Sequence, residues 1–242
     1  WAARASFGTA SFAPTPFTEE TEVTGLAPVL PATGIASERA HSASLDLGGA
    51  VGAVELNAAA FGAVVRRPVV TRVPAGPAGA LELVNAAQPT RTSGVDLLAR
   101  LVAAPFRVTA TYVYQRSTEY DPDGAARRET PLTPRHAAGL VAAWEREGQS
   151  RAGVELYYTG RQTLADNPYR ADGARYVILG FLAEHRVGPA RLFLNAENLG
   201  NVRLAGYHPL VLPARGRGGR WTTDAWTELP GRTFNGGVRW RL

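Results

Sequence analysis

The chain has 242 residues, 45% of them apolar, a net charge of +5 and no cysteine. That apolar content excludes a disordered tail; the missing cysteine excludes a disulfide framework, a thiolate metal site and a cysteine nucleophile; and no run of about 18 apolar residues supplies a transmembrane helix. All 26 basic residues are Arg, scattered among Asp and Glu with no Arg-rich helix and no aromatic RNA-binding signature, so the charge points to no nucleic acid as partner. Methionine is absent, at position 1 as elsewhere, and no signal peptide is visible. The chain is therefore expected to be a piece of a longer one, with its true N-terminus elsewhere.

Proline and glycine interrupt the sequence too often for long helices. What they leave is a series of segments, most of them 9–12 residues long, whose apolar residues recur with the period of a β-strand. In chain order they fall near 3–10, 40–48, 51–65, 92–103, 106–117, 134–146, 150–160, 175–186, 190–198 and 231–242. In 92–103, Val95, Leu97, Ala99 and Leu101 lie opposite Asp96 and Arg100. In 106–117, Phe106, Val108, Ala110, Tyr112 and Tyr114 alternate with Arg107, Thr109, Thr111, Val113 and Gln115. His136, Ala138, Leu140, Ala142 and Trp144 continue the pattern, as do Ala152, Val154, Leu156 and Tyr158. Near the end, Leu192, Leu194 and Ala196 oppose Arg191, Phe193, Asn195 and Glu197. Phe193 is out of place there, and is expected to pack against other groups of the polar face or against a plug.

The connections alternate without exception. Short ones are expected at Gly48–Ala50, Ala104–Pro105, Glu147–Gln149 and Val187–Pro189; long ones at 11–39, 66–91, 118–133, 161–174 and 199–230. An antiparallel membrane barrel has this rhythm, because its periplasmic turns are short and its extracellular loops long. A tilted strand crosses the hydrocarbon in about 9–11 residues, which fits the segments. On the apolar faces, aromatics should gather at the two interfaces. Phe106, Trp144 and Trp240 sit toward the short-turn ends, and Tyr112, Tyr114, Tyr158 and Tyr176 toward the long-loop ends. The Arg, Glu, Asp and Asn of the other faces would meet a watery or plugged lumen. A soluble sheet with one wet face is the competing architecture.

The tail, LFLNAENLGNVR followed by GRWTTDAW and ELPGRTFNGGVRWRL, closely resembles the C-terminal strands of TonB-dependent outer-membrane receptors. RASFGTASFAPTPFTEE (4–20) resembles a strand and loop of that family, and SERAHSASLDLG, TRTSGVDLLARL and YYTGRQTL resemble further barrel strands. The resemblance implies an all-β fold: an antiparallel transmembrane β-barrel, with about ten strands present here of a larger, 22-stranded barrel. Residues 1–242 would be its C-terminal part, without the plug domain and the N-terminal strands. Leu242 departs from the family's aromatic end, which the barrel assembly machinery reads. The implied location is the cell outer membrane. The implied partners are the TonB inner-membrane energising complex through the plug, outer-membrane lipid and lipopolysaccharide, and a small-molecule or metal-chelate ligand.

The sequence offers little catalytic chemistry. His41, His136, His185 and His208 lack metal-ligand spacing and are expected as isolated surface or strand-end residues. Ser93 and Ser150 have no His placed beside them by the sequence. The acidic clusters Glu19–Glu20–Glu22 and Asp121–Gly124 are expected as a solvated loop and a turn rather than cation sites, and Gly216, Gly218 and Gly219 as a flexible loop. No catalysis, metal or cofactor is expected. Binding is expected on the long loops. Arg161, Tyr169 and Arg170 in one, and Tyr207, Arg215, Arg217, Arg220, Trp221 and Trp226 in another, combine charge with aromatic faces able to grip an anionic chelate. Lipopolysaccharide contact or loop packing would use the same groups. The resulting expectation is a receptor for active, TonB-energised uptake of a scarce nutrient such as a siderophore–iron complex or cobalamin. A small passive porin and a soluble secreted glycan-binding β-sandwich remain alternatives.

Overall fold

Ten long strands pair into one continuous antiparallel sheet in the computed structural model, which describes residues 1–14, 30, 33–72, 81–165, 167, 169–208 and 225–240. In chain order the strands are β1 (Ala2–Phe12), β2 (Glu38–Val51), β3 (Val54–Arg66), β4 (Val69–Arg72), β5 (Glu82–Asn85), β6 (Thr90–Ala103), β7 (Phe106–Asp121), β8 (Ala126–Glu129), β9 (His136–Arg146), β10 (Ser150–Thr159), β11 (Gln162–Thr163), β12 (Asp172–Gly173), β13 (Tyr176–Val187), β14 (Ala190–Glu197) and β15 (Thr233–Trp240). The sheet runs β1-β2-β3-β6-β7-β9-β10-β13-β14-β15, with β8 paired to β7 as a hairpin extension. The short strands β4–β5 and β11–β12 are separate hairpins inside two of the long connections. One 3-10 turn, Leu204–Gly206, lies in the last long connection.

Each strand pairs with its sequence neighbour because each is too amphipathic to stand alone. Cross-strand partners share a face, so the register assigns every side chain to a side. One face carries Leu45, Leu47, Leu56, Leu97, Leu140, Leu156, Leu179, Leu192, Leu194 and Val238, all of them exposed. The other carries Arg4 opposite Asp46, Glu55 opposite Arg100, and Glu184 opposite Arg151. Among the described residues no second sheet covers the apolar face, unlike the arrangement of a β-sandwich. The sheet is an open path with β1 and β15 at its edges, so it is not a closed ten-stranded barrel either.

The turns reveal a regular stagger. Val51 and Val54 flank the first short turn, and Val54 pairs with Leu101, two residues short of the next turn at Ala103 and Phe106. Phe106 pairs with Trp144, again two residues short of the turn after Arg146, and Ser150 with His185, two short of Val187. One residue of slip per strand, at a rise of about 3.3 Å and a spacing of about 4.8 Å, tilts the strands by about 35°. Membrane barrels have strands tilted in this range.

Three expectations need correction. The first short turn is Gly52–Ala53 rather than Gly48–Ala50, because Gly52 takes φ +60. Gly49 stays in β2, where a Cβ would stand 2.5 Å from the Trp1 ring. Tyr176 pairs with Thr159 and so lies on the polar face, not the apolar one. Aromatics also do not avoid the middle of the apolar face completely: Phe181 is there, opposite Val154. The misplaced Phe193 is accounted for on the polar face. Its ring covers Gly237, where a Cβ would come within 2.9 Å, and the Arg239 guanidinium sits 5.1 Å above it.

Candidate functional site

The best-formed side-chain cluster lies where two long connections meet at the long-loop end. The connection between β10 and β13 folds back as the hairpin β11–β12. Leu164 from that connection, Leu204 from the 3-10 turn and Trp226 from the β14–β15 connection form its apolar centre, with Tyr176 and Tyr207 packed against it. Trp226 is only 3% exposed. The Gln162 amide donates to the Trp226 carbonyl at 2.8 Å, and Gly173 leaves room for the indole, since a Cβ there would sit 2.8 Å from it. Tyr176 ties the cluster to the polar face of the sheet.

A cationic and aromatic rim surrounds this centre. The Arg170 guanidinium lies 5.6 Å from the centroid of Tyr207 and 5.7 Å from that of Trp226, and donates to the Tyr207 carbonyl at 3.2 Å. Tyr169 stacks on His208 at 5.1 Å with 14° between the rings, and His208 meets Trp226 at 5.8 Å. His208 is therefore no surface residue: it is 6% exposed, in contrast to the expectation. Burial, and then the nearby Arg170 charge, hold its pKa below the usual range. Both its ring nitrogens, the Trp226 Nε1, the Arg170 Nε and the Thr227 hydroxyl are buried without a hydrogen-bond partner among the described residues. Tyr169 is exposed, and Arg170 and Tyr207 are half-buried.

Four of the expected residues thus converge, although up to 57 positions separate Tyr169 from Trp226. Arg161 instead pairs with Asp172 at 3.6 Å, at the hairpin. Arg215, Arg217, Arg220 and Trp221 lie outside the described residues, as do Glu19, Glu20, Glu22, Gly216, Gly218, Gly219 and Leu242. His208 is the residue sequence reasoning missed; its only signal is adjacency to Tyr207 in the same loop.

The base of the last long connection is clasped by the residues that carry the tail pattern. Asn198 holds φ +50, its Nδ2 donates to the carbonyls of Val202 at 2.6 Å and Pro230 at 3.3 Å, and its Oδ1 accepts from the Val202 amide at 2.9 Å. Arg232 donates to the Leu199 carbonyl at 2.8 Å, and Arg203 to Asn201 at 3.2 Å. A Cβ on Gly231 would meet the Asn201 side chain at 2.6 Å. Asparagine suits this position because it tolerates positive φ and hydrogen-bonds locally.

Two other expectations meet the structure here. Asp121–Gly124 is the turn of the β7–β8 hairpin, where Asp121 accepts from the Asp123 amide and pairs with Arg128 at 3.3 Å. Ser150, expected without a His, has its hydroxyl 2.7 Å from His185 Nδ1 on the next strand. Among the described residues no carboxylate bonds that imidazole, so the pair lacks the orienting group of a hydrolytic triad.

A sequence profile described as "TonB dependent receptor-like, beta-barrel" matches residues 1–199. No match was found among curated protein sequences. Among solved structures, the fold is similar to the FrpB iron transporter from Neisseria meningitidis, with a TM-score of 0.68 and 16% identity over 98% of this chain and 36% of that one. It is similar also to the copper transporter OprC, at TM-score 0.65 and 17% identity over 98% and 36%. A third similar structure is the ferric enterobactin receptor of Pseudomonas aeruginosa in complex with enterobactin, at 0.66 and 14% over 98% and 38%. The chain thus spans little more than a third of these structures.

Proposed function

Because the chain belongs to the β-barrel family of TonB-dependent receptors, a family of outer-membrane transport receptors, we propose that it forms the C-terminal part of a 22-stranded barrel for active uptake of a scarce nutrient. A siderophore–iron complex, cobalamin or a similar compound is the cargo class. The apolar face then meets lipid, the polar face the lumen, the short turns the periplasm and the long loops the outside. The observation that carries the reading is the Arg170–Tyr207–Trp226 cluster, set on the lumen side of the outer rim through Tyr176.

In this reading Trp226, buried, serves as the floor, while the accessible Tyr169, Arg170 and Tyr207 contact ligand. Arg170 supplies paired N–H donors for an anionic group, and the rings stack on flat or apolar parts of the ligand. Arg215, Arg217, Arg220 and Trp221 extend the same chemistry along the last loop, and Arg161 borders it. Energy comes from the TonB complex acting through a plug, and no covalent step is involved.

The test is uptake of labelled ferric enterobactin, ferric citrate and cobalamin by cells expressing the full-length protein, with and without TonB. Uptake of one of the three should require TonB, and Arg170→Ala should raise the half-saturating concentration about tenfold, the worth of one charge-assisted hydrogen bond. Uptake that continues undiminished without TonB would sink the receptor reading in favour of a passive pore.

A further inference from the structure

Every buried side-chain polar atom that lacks a hydrogen-bond partner among the described residues belongs to one place, the junction of the two long connections. These atoms are the Trp226 Nε1, both ring nitrogens of His208, the Arg170 Nε and the Thr227 hydroxyl. His208 is 6% exposed, Trp226 3% and Thr227 8%. Buried polar groups in folded proteins are nearly always satisfied, by protein, water or ion. Such a concentration at one junction points to an occupant.

The set is rich in donors. An indole N–H and a guanidinium N–H can only donate, a hydroxyl can donate, and a neutral imidazole has one N–H to give. Burial favours that neutral form of His208. Arg170 forms no ion pair among the described residues, so its charge is uncompensated there. One of its terminal nitrogens donates to the Tyr207 carbonyl, which leaves the buried Nε free. The spacing allows a shared ion. The Arg170 guanidinium lies 5.7 Å from the centroid of the indole and the His208 ring 5.8 Å from it, with Thr227 next in the chain. Two donors on one acceptor, each about 2.9 Å from it, stand no more than about 6 Å apart. Tyr169, itself exposed, lies nearly flat on His208 and covers it. Water would satisfy the donors and leave the charge unpaired; a small anion answers both.

We propose that this junction is a binding site for a small inorganic anion of the size of chloride, held by the Trp226 Nε1, the Arg170 Nε, the Thr227 hydroxyl and one N–H of His208. Arg170 comes from the β10–β13 connection and the other three residues from the β14–β15 connection, so the ion ties the two together. The cargo contacts proposed above use the accessible Tyr169, Arg170 and Tyr207, whereas a bulky chelate cannot reach these buried atoms while the loops are closed. The ion requires neither cargo nor TonB.

The experiment is hydrogen exchange of the full-length protein in detergent, in sodium chloride or sodium gluconate at equal ionic strength, so that screening is the same in both. It is read at the Leu204 amide, which donates to the carbonyl of Glu228, the neighbour of Thr227. With a dissociation constant of about 10 mM, about 100 mM chloride should raise protection about tenfold over gluconate. Thr227→Val and Trp226→Phe each remove one donor. Each should weaken the ion about tenfold and leave only about a twofold response. A variant that loosens the loops outright loses protection in both salts, and the ratio between the salts still reads the ion. Bromide soaked into wild-type crystals should give an anomalous peak between the Trp226 Nε1 and the Thr227 hydroxyl. Equal protection in the two salts, an undiminished chloride response in both variants, or no bromide peak at the junction would each overturn the proposal. Uptake that persists without TonB would refute the receptor reading and leave these outcomes as they are.

Discussion

Asn198 holds together the root of the longest connection, and the structure allows the cost of removing it to be worked out. Its side chain is buried, with the residue 5% exposed, and makes one bond at 2.6 Å, one at 2.9 Å and a weaker one at 3.3 Å. Two good hydrogen bonds are worth about 1–3 kcal/mol net. Alanine would also have to hold φ +50 without the local side-chain bonding that lets asparagine tolerate it, at about 1–2 kcal/mol. Asn198→Ala should therefore destabilise the clasp by about 2–5 kcal/mol, and Asn198→Gly, which is at ease at positive φ, by about 1–3 kcal/mol. The assay is hydrogen exchange in the full-length protein, read at the Val202 and Leu204 amides. Leu204 donates to the Glu228 carbonyl at 2.6 Å, so it reports closure of the two sides of the loop base. Protection should fall by at least about tenfold in the alanine variant and less in the glycine one. Unchanged protection would show that the hydrogen bonds do not close the loop. A glycine variant as damaged as alanine would remove the backbone part of the argument.

Three further outcomes follow from particular contacts. His208, with its pKa held down by burial, is favoured neutral in the folded loops, so its contribution to stability is present above the unfolded value of about 6.5 and is lost as pH falls below it. Lowering the pH from 7.5 to 5 should speed exchange at Leu204, and His208→Phe should remove that dependence; an equal pH effect in the variant would mean another group is responsible. Gly173→Ala forces a methyl group against the Trp226 ring and should loosen the Gln162–Trp226 bond, seen as faster exchange in 162–173 with strands β10 and β13 unaffected. Gly237→Ala should displace the Phe193 ring from its seat, at about 1–3 kcal/mol of overpacking, and lower the barrel's unfolding midpoint in denaturant.

The sheet is readable because each long strand keeps one apolar face through its middle, with Arg39, Arg66, Arg91, Arg116 and Arg146 only toward strand ends, and each break is marked by glycine, proline or polar residues. The limits were local. Gly48 and Gly49 read as a turn by composition, yet both stay in β2, where Gly49 lets the Trp1 ring approach the strand and Gly48 makes room for the Asn57 side chain. Tyr176 reads as one of the apolar-face aromatics at the long-loop ends, whereas its side follows from the register with Thr159. The hairpins β4–β5 and β11–β12 and the extension β8 have too few residues to show a period. At the site, residue types were legible and proximity was not. Nothing in Tyr169 and Arg170 foretells that they meet Tyr207, His208 and Trp226, because the meeting is made by strands β13 and β14 bringing two loop roots together. The pattern N-x-x-N-x-R was visible as a resemblance, but its physical content, a clasp across Pro230 and Gly231, needed the third dimension.

Trp226 belongs to one loop by sequence and is seated in the other. Neither loop can open without exposing the same indole and breaking the same Gln162 bond, so the two share one opening equilibrium rather than two. Amides of β11 and of Leu204 should then report a common opening free energy and respond together to any substitution in either loop. For a ligand of the kind proposed, the entropy of holding Tyr169, Arg170, Tyr207 and Trp226 together has been met in folding, which leaves less to be lost on binding than independent groups would require.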